Sequence, residues 1–351
     1  MNPPLSLDPA DPRQGPAISL VLGSGGARGY AHIGVIEALH ERGYAIRSVA
    51  GSSMGALVGG VYAAGRLEAY RDWACSLQRL DVLRLVDWSW RGGGLIKGRR
   101  IIETLRELVG DVDIERLPIS YTAVAVDIDA EREVWFSRGP LFDAIRASIS
   151  IPSVFRPHEY EGRRLVDGGL LNPVPITPTL RDLTDFTVAV DVNAPDQRHG
   201  DLETPIRQPE RQIPALPTGG LLLGADGGPA PSAPAAGTPR RTLGGYRRQF
   251  AQLFDTMLDR RSRAAAPEDG GARGEVGMVE LFARSLDTVQ ATLTRFKLAA
   301  QPPDLLIRIP REACAFYEFH RAEELIAIGR DCARRALAAF HPPETTRGNP
   351  G

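Results

Sequence analysis

The chain is poor in the residues on which several classes of protein depend. It has 351 residues but only two lysines, Lys97 and Lys297, and neither follows a glycine-rich loop. A Walker-type phosphate loop needs a lysine there and a Schiff-base enzyme needs a lysine nucleophile, so both chemistries are disfavoured. The formal net charge is -1, with arginines interspersed among nearly as many acidic residues. We therefore expect no nucleic-acid partner.

Cysteines and long apolar runs are also scarce. The chain has three widely spaced cysteines, Cys75, Cys314 and Cys332, which we expect to be reduced and buried. Residues 48–65 carry no charge, but glycine, alanine and serine make them too weakly apolar for a membrane span. Residues 1–14 lack the apolar core of a secretory signal. The sequence predicts a cytoplasmic protein and leaves open peripheral contact with a membrane surface.

One stretch has the layout of a nucleophile elbow. An apolar segment of strand length, residues 46–50, leads into Gly51-Ser52-Ser53-Met54-Gly55, and a run of small residues suited to a helix follows. A serine on so sharp a turn needs residues without a Cβ two positions before and after it, as Gly51 and Gly55 provide. The helix N-terminus would favour negative charge on the Ser53 oxygen. The pentapeptide is common by chance, so an ordinary turn is the alternative.

A glycine-rich loop precedes the elbow. Residues 17–22 predict a strand buried on both faces, and after the loop an apolar stripe at helical spacing predicts a helix. The backbone N–H groups at the start of that helix could point toward an anion, and they belong to Gly25, Gly26, Ala27 and Arg28. The dinucleotide-binding pattern Gly-x-Gly-x-x-Gly fails here, because counting from Gly23 places Arg28 at the last position. The dinucleotide interpretation is therefore the weaker one.

Two residues compete for the role of base. His158 is the strongest candidate among six histidines, because it lies near Asp167 in sequence, although a loop histidine without a catalytic role is more common. Asp167 ends an apolar strand, and Gly168 and Gly169 behind it permit close backbone approach beside a serine. A carboxylate is a weak base unless its site is desolvated and preorganised, and Asp-Gly is also a common turn signal. The residues alone leave both alternatives open.

The motifs together resemble those of the patatin-like phospholipase family. They are, in the family's order, Ser24-Gly25-Gly26-Ala27-Arg28-Gly29, Gly51-Ser52-Ser53-Met54-Gly55 and Asp167-Gly168-Gly169. Ser24 departs from the family's pattern, which has glycine at that place. Residues 28–35 and 319–326 are similar to the bacterial branch near neuropathy target esterase. The resemblance covers roughly residues 17–192 and resumes across 275–340.

The resemblance implies a three-layer α/β/α sandwich with a mostly parallel central sheet. It implies lipid acyl hydrolysis without metal or organic cofactor, on substrates such as phospholipids or lysophospholipids. Ser53 would be the nucleophile, Asp167 its dyad partner and the base for deacylation, and Gly25 to Arg28 the oxyanion hole. Two alternatives stay open: an acyltransferase with the same site, and a non-catalytic regulator that binds lipid or nucleotide.

Composition divides the chain into five segments. We predict a disordered N-terminus (1–16), a catalytic core (17–193), a mostly disordered low-complexity insertion (194–274), a part that completes the core (275–340) and a tail (341–351). The insertion is crowded with proline, glycine, alanine and arginine and has too few periodic apolar residues for a core. An isolated helix is predicted within it around residues 250–258. The sequence does not fix the oligomeric state.

Overall fold

Strands and helices alternate through most of the part of the chain that the structure describes. The computed structural model describes residues 15–85, 87, 94–195 and 278–342. The strands are β1 (Ala17–Leu22), β2 (Ala45–Ser52), β3 (Gly94–Ile96), β4 (Ser120–Asp127), β5 (Arg132–Phe136), β6 (Ser153–Phe155), β7 (His158–Tyr160), β8 (Arg163–Asp167), β9 (Phe186–Ala194) and β10 (Leu305–Pro310). The helices are α1 (Ala31–Glu41), α2 (Met54–Ala63), α3 (Leu67–Ser76), α4 (Arg79–Leu85), α5 (Arg99–Val109), α6 (Leu141–Ser148), α7 (Met278–Ala300) and α8 (Ala322–Ala339).

The central sheet has eight strands and is parallel from β10 through β9, β1 and β2 to β4. Val124 of β4 pairs with Ser52 of β2 and also with β5, whereas Ala125 pairs with Asp167 of β8 and also with β5. A strand has only two edges, and β5 occupies one edge of β4 at both residues. β2 and β8 therefore lie end to end along the other edge of β4. Since β8 runs antiparallel to β4, the last residues of β2 and β8 meet.

Helices cover both faces of this sheet. Leu20 and Leu22 of β1 belong to a large apolar core with α1, α2 and α8, whereas Val21 between them packs with Ala189 and with Leu298 of α7. Consecutive side chains of a strand point to opposite faces, so the two cores lie on the two sides of the sheet. The predicted α/β/α sandwich with a mostly parallel sheet is confirmed.

The C-terminal residues pack into the same sandwich. β10 extends the sheet beside β9, and α8 packs along α1. The two helices approach closely at glycines: a Cβ on Gly34 would lie 1.9 Å from Ile326 O, and one on Gly329 would lie 2.0 Å from Ala31 O. Residues 1–14 of the predicted N-terminus, residues 196–274 of the predicted insertion with its helix, and residues 343–351 of the predicted tail lie outside the described residues. The five segment boundaries stay a prediction.

The uncharged stretch and the cysteines test two predictions made from the composition. The uncharged stretch 48–65 divides between β2 and α2, and no helix among the described residues is long and apolar enough to cross a bilayer. All three cysteines are free, but the prediction that all are buried is wrong for Cys75, which is exposed. Amphipathic α3 buries Leu67, Tyr70 and Ala74 on one face. Cys75 follows Ala74 and is turned about 100° away from it around the helix axis.

Candidate active site

Ser53 occupies the sharp turn between β2 and α2. Its φ of 55° and ψ of -124° are rare for a residue with a side chain. A Cβ on Gly51 would lie 2.4 Å from Gly55 O, and a Cβ on Gly55 would lie 2.1 Å from Leu22 O. Both obstacles are backbone atoms, which cannot rotate away. The turn therefore requires glycine at both positions.

The Gly55→Ala substitution tests this requirement. We expect it to lower the free energy of unfolding by about 3 kcal/mol or more, because the new methyl group would overlap the backbone of β1. Gly60→Ala on the same helix is the matched control, since its Cβ would meet only side-chain atoms, at 3.0 to 3.1 Å. Urea denaturation measures both losses. Equal losses in the two variants would contradict the steric explanation.

Asp167 lies against the Ser53 hydroxyl. Ser53 Oγ donates a hydrogen bond to Asp167 Oδ2 at 2.5 Å, and Asp167 Oδ1 accepts one from Gly169 N–H at 2.7 Å. Ser53 is 4% exposed and Asp167 3%. The two residues are 114 positions apart in sequence. They meet because β2 and β8 end at neighbouring positions on β4.

The surroundings of Asp167 change its acidity. Burial raises the pKa of Asp167 from 3.8 to about 7, although the hydrogen bonds from Ser53 and from Gly169 N–H oppose this shift. Burial disfavours the charged carboxylate, whereas donors stabilise it. A carboxyl group with this pKa exchanges its proton near neutral pH, as general base chemistry on a hydroxyl requires.

His158 lies beside a different carboxylate. Its Nε2 is 3.2 Å from Asp143 Oδ1. On the β7–β8 hairpin it pairs with Leu165, two residues before Asp167. The structure therefore brings the Ser53 hydroxyl together with the aspartate, and pairs the histidine with Asp143.

Two serines at the end of α6 hold the backbone of the Ser53–Asp167 pair. Ser148 Oγ accepts the Ser53 N–H at 2.9 Å and donates to Val124 O at 2.6 Å. Ser150 O accepts the Asp167 N–H at 2.9 Å. Both serines are fully buried. Sequence reasoning missed them, because serines in an apolar segment have no spacing that marks them and their roles depend on contacts between distant strands.

The glycine-rich loop lies directly beside the elbow. It follows β1 and forms a 3₁₀ turn over Gly26–Tyr30. A Cβ on Gly29 would lie 2.3 Å from the side chain of Met54, the residue after Ser53. The loop backbone thus packs against the start of α2, at the residue that follows Ser53.

Two of the four predicted donors in this loop have partners within the chain. Arg28 is the third residue of the 3₁₀ turn that follows Gly25, so its N–H donates to Gly25 O. The Ala27 N–H donates to Phe316 O at 2.8 Å. Gly26 has a φ of 56° and lies so close to Phe316 that a Cβ would be 2.4 Å from the same carbonyl oxygen. The N–H groups of Gly25 and Gly26 stay the predicted donors to an anion, because those of Ala27 and Arg28 are occupied.

Side chains fasten the glycine-rich loop to α7. The buried Arg28 donates from Nε to Gly25 O at 3.2 Å and forms an ion pair with Asp287 of α7 at 3.3 Å. Ser24 Oγ donates to Gln290, three residues further along α7, at 3.2 Å. The serine that departs from the family's pattern therefore has a partner of its own. Neither contact with α7 was predicted, because the helix lies more than 250 residues away in the chain.

Comparisons with known proteins bear on the same residues. The family model "Patatin-like phospholipase" matches residues 20–180, a range that includes the loop, Ser53 and Asp167. An NTE family protein of Mycobacterium bovis is 44% identical over 93% of this chain and 92% of its own length. Neuropathy target esterase sws of Drosophila melanogaster is 33% identical over 52% of this chain and 13% of its own length. Lysophospholipase NTE1 of Saccharomyces cerevisiae is 33% identical over 52% of this chain and 11% of its own length.

The mycobacterial relative matches over more than nine tenths of both chains, so the similarity is not confined to the motifs. The two eukaryotic relatives are much longer proteins, and this chain corresponds to a small part of each. All three carry the name of the same group. The chain therefore belongs to the NTE group within the patatin-like phospholipase family of lipid hydrolases.

Proposed function

We propose that the protein hydrolyses acyl esters of phospholipids or lysophospholipids through an acyl-enzyme on Ser53. The observation that carries this proposal is the 2.5 Å hydrogen bond from Ser53 Oγ to Asp167 Oδ2 in a buried site. Membership of the family supports a lipid ester as substrate. The names of the longer relatives, an esterase and a lysophospholipase, support the same substrate class.

Acylation begins at the Ser53 hydroxyl. Ser53 Oγ attacks the ester carbonyl carbon while Asp167 Oδ2 accepts the hydroxyl proton, so a bond forms between Oγ and the acyl carbon. The bond to the leaving alcohol then breaks, and that alcohol takes the proton from Asp167. Ser148 assists by holding the Ser53 N–H, which keeps the elbow in its strained shape.

The charge that develops on the carbonyl oxygen needs donors that are already in place. We assign this role to the N–H groups of Gly25 and Gly26 in the loop beside Met54. Such donors are most effective in a site that excludes water and does not have to reorganise. The contacts of Arg28 and Ser24 with α7 support this assignment, because they restrict the movement of the loop.

Deacylation uses the same two side chains. A water molecule attacks the acyl carbon, Asp167 accepts its proton, and the fatty acid leaves as Ser53 Oγ recovers the proton. Release of free fatty acid, without transfer to an added alcohol, is the product pattern expected of a hydrolase. A cytoplasmic location with peripheral contact at a membrane surface stays a prediction from composition.

The dependence of turnover on pH tests the proposed base. Because burial raises the pKa of Asp167 to about 7, we expect kcat/KM to rise with pH through about 7 and then to level off. Fatty acid release from lysophosphatidylcholine between about pH 5 and 9 measures this profile, since the choline phosphodiester does not titrate there. A midpoint near 4 would exclude a desolvated carboxyl as the base. If the protein released no fatty acid from any monoacyl or diacyl phospholipid, the proposed function would be contradicted.

A further inference from the structure

A basic cleft of about 860 Å³ lies between α5, α6 and the β7–β8 hairpin. Neither Ser53 nor Asp167 lines it. Its lining includes more cationic side chains than carboxylates. The six cations are Lys97, Arg99, Arg106, Arg146, Arg156 and Arg164, and the three carboxylates are Glu103, Asp143 and Glu159. A concave surface with an excess of one charge attracts ligands of the opposite charge.

The cations of this basic cleft fall into two groups. Three have carboxylate partners, in the pairs Arg99 with Glu103 at 3.8 Å, Arg106 with Asp111 at 3.2 Å, and Arg164 with Asp129. The other three have no carboxylate within ion-pair distance among the residues that the structure describes, and they are Lys97, Arg146 and Arg156. His158 also lines the cleft, and its Nε2 lies 3.2 Å from Asp143 Oδ1. The excess of positive charge therefore comes from the second group.

Arg146 is a buried cation whose hydrogen bonds among the described residues all go to neutral oxygens. It is 8% exposed, and its guanidinium donates to Lys97 O at 2.6 Å and 3.2 Å, to Arg156 O at 3.0 Å and to Ser150 Oγ at 2.5 Å. A guanidinium has five N–H donors, so one on Nη1 has no acceptor among the described residues. Burial lowers the pKa of Arg146 to about 10, which the charge of Asp87 opposes. Both Asp87 oxygens accept backbone N–H groups at the start of α5.

The basic cleft adjoins the Ser53–Asp167 pair. Arg146 donates to Ser150 Oγ at 2.5 Å, and the carbonyl oxygen of Ser150 accepts the Asp167 N–H at 2.9 Å. A single residue, Ser150, therefore lies between the cleft wall and the backbone of Asp167.

We propose that this basic cleft binds the phosphate group of a phospholipid headgroup whose acyl ester reaches Ser53. Arg146 offers a rigid guanidinium at the cleft wall, and the exposed Lys97 and half-buried Arg156 add charge that no described carboxylate neutralises. Charge-assisted bonds from arginine to phosphate are among the strongest that proteins form. The assignment to a headgroup rests on the proposed function. Free inorganic phosphate has the same chemistry and is the alternative ligand.

A binding experiment tests the site without turnover. Inorganic phosphate is titrated by calorimetry into the full chain carrying Ser53→Ala, alone and with Lys97→Gln plus Arg156→Gln. We expect the added pair of substitutions to weaken phosphate binding about tenfold or more. Arg163→Gln is the matched control, because this exposed arginine precedes Arg164 on β8 and does not line the cleft. Failure of phosphate to bind, or an equal loss in the control, would overturn the site.

A kinetic experiment separates a headgroup from free phosphate. The ratio of kcat/KM for lysophosphatidylglycerol to that for a monoacylglycerol of the same acyl chain is measured in the same variants with Ser53 present. We expect Lys97→Gln plus Arg156→Gln to lower this ratio about tenfold, mainly through KM, and Arg163→Gln to preserve it. Loss of phosphate binding with an unchanged ratio would overturn the headgroup assignment in favour of free phosphate. If neither ester is hydrolysed, the proposed function fails, while the titration still decides whether the cleft binds phosphate.

Discussion

Ser53→Ala is expected to abolish hydrolysis of lipid esters, with kcat lower by about a thousandfold or more. Ser53 Oγ is the atom that would bond to the acyl carbon. Among the described residues, no other side chain both lies on this strained turn and donates to Asp167. A fluorophosphonate probe, which reacts with activated serines, should label the wild type and not the variant. Fatty acid release and probe labelling are to be measured on the same preparations.

Ser52→Ala is the matched control for this experiment. Ser52 precedes Ser53 and is fully buried, but its Oγ donates to Asn172 O at 2.7 Å and not to Asp167. The control variant should therefore retain probe labelling at Ser53. If the probe labelled wild type and Ser53→Ala equally, or labelled neither, the serine hydrolase proposal would fail.

The elbow could be predicted because all its requirements lie close together in sequence. The strand, the serine and the two glycines occupy about ten consecutive residues, and each has a local steric reason. The terminal helix was predictable for a similar reason: the sequence predicts a helix over roughly residues 321–340, and α8 spans Ala322–Ala339. A periodic apolar face is visible in one segment without knowledge of its partners.

The partner of Ser53 could not be derived in that way. Residue types and local signals left His158 and Asp167 both open, and only the resemblance to the family favoured the aspartate. In the structure the choice depends on register, since Ser52 and Asp167 pair with consecutive residues of β4. No local pattern encodes the meeting of Ser53 and Asp167, which are 114 residues apart. The same limit applies to Ser148, whose hydroxyl joins the elbow to β4.

Asp167→Asn is expected to lower kcat by about a thousandfold or more, because an amide cannot accept the proton of the Ser53 hydroxyl. The amide can still occupy the space of the carboxyl group, so the strand ends should stay in place. His158→Ala is the comparison, since His158 lies beside Asp143 and should affect turnover only a few-fold. Steady-state fatty acid release decides between them. Near-normal turnover in Asp167→Asn with a collapse in His158→Ala would overturn the dyad.

Thermal stability separates loss of the base from loss of the fold in Asp167→Asn. Because burial raises the pKa of Asp167 from 3.8 to about 7, the folded state retains a proton between these values that the unfolded state releases. The retained proton therefore stabilises the folded wild type at low pH. This contribution to the free energy of unfolding is lost as pH rises toward about 7, and it does not change further above that pH. Asparagine cannot ionise, so the stability of the variant does not fall with pH for this reason. We expect its Tm relative to wild type to be higher at pH 8 than at pH 4, and a Tm difference that does not change with pH would contradict the desolvated carboxyl on which the proposed base depends.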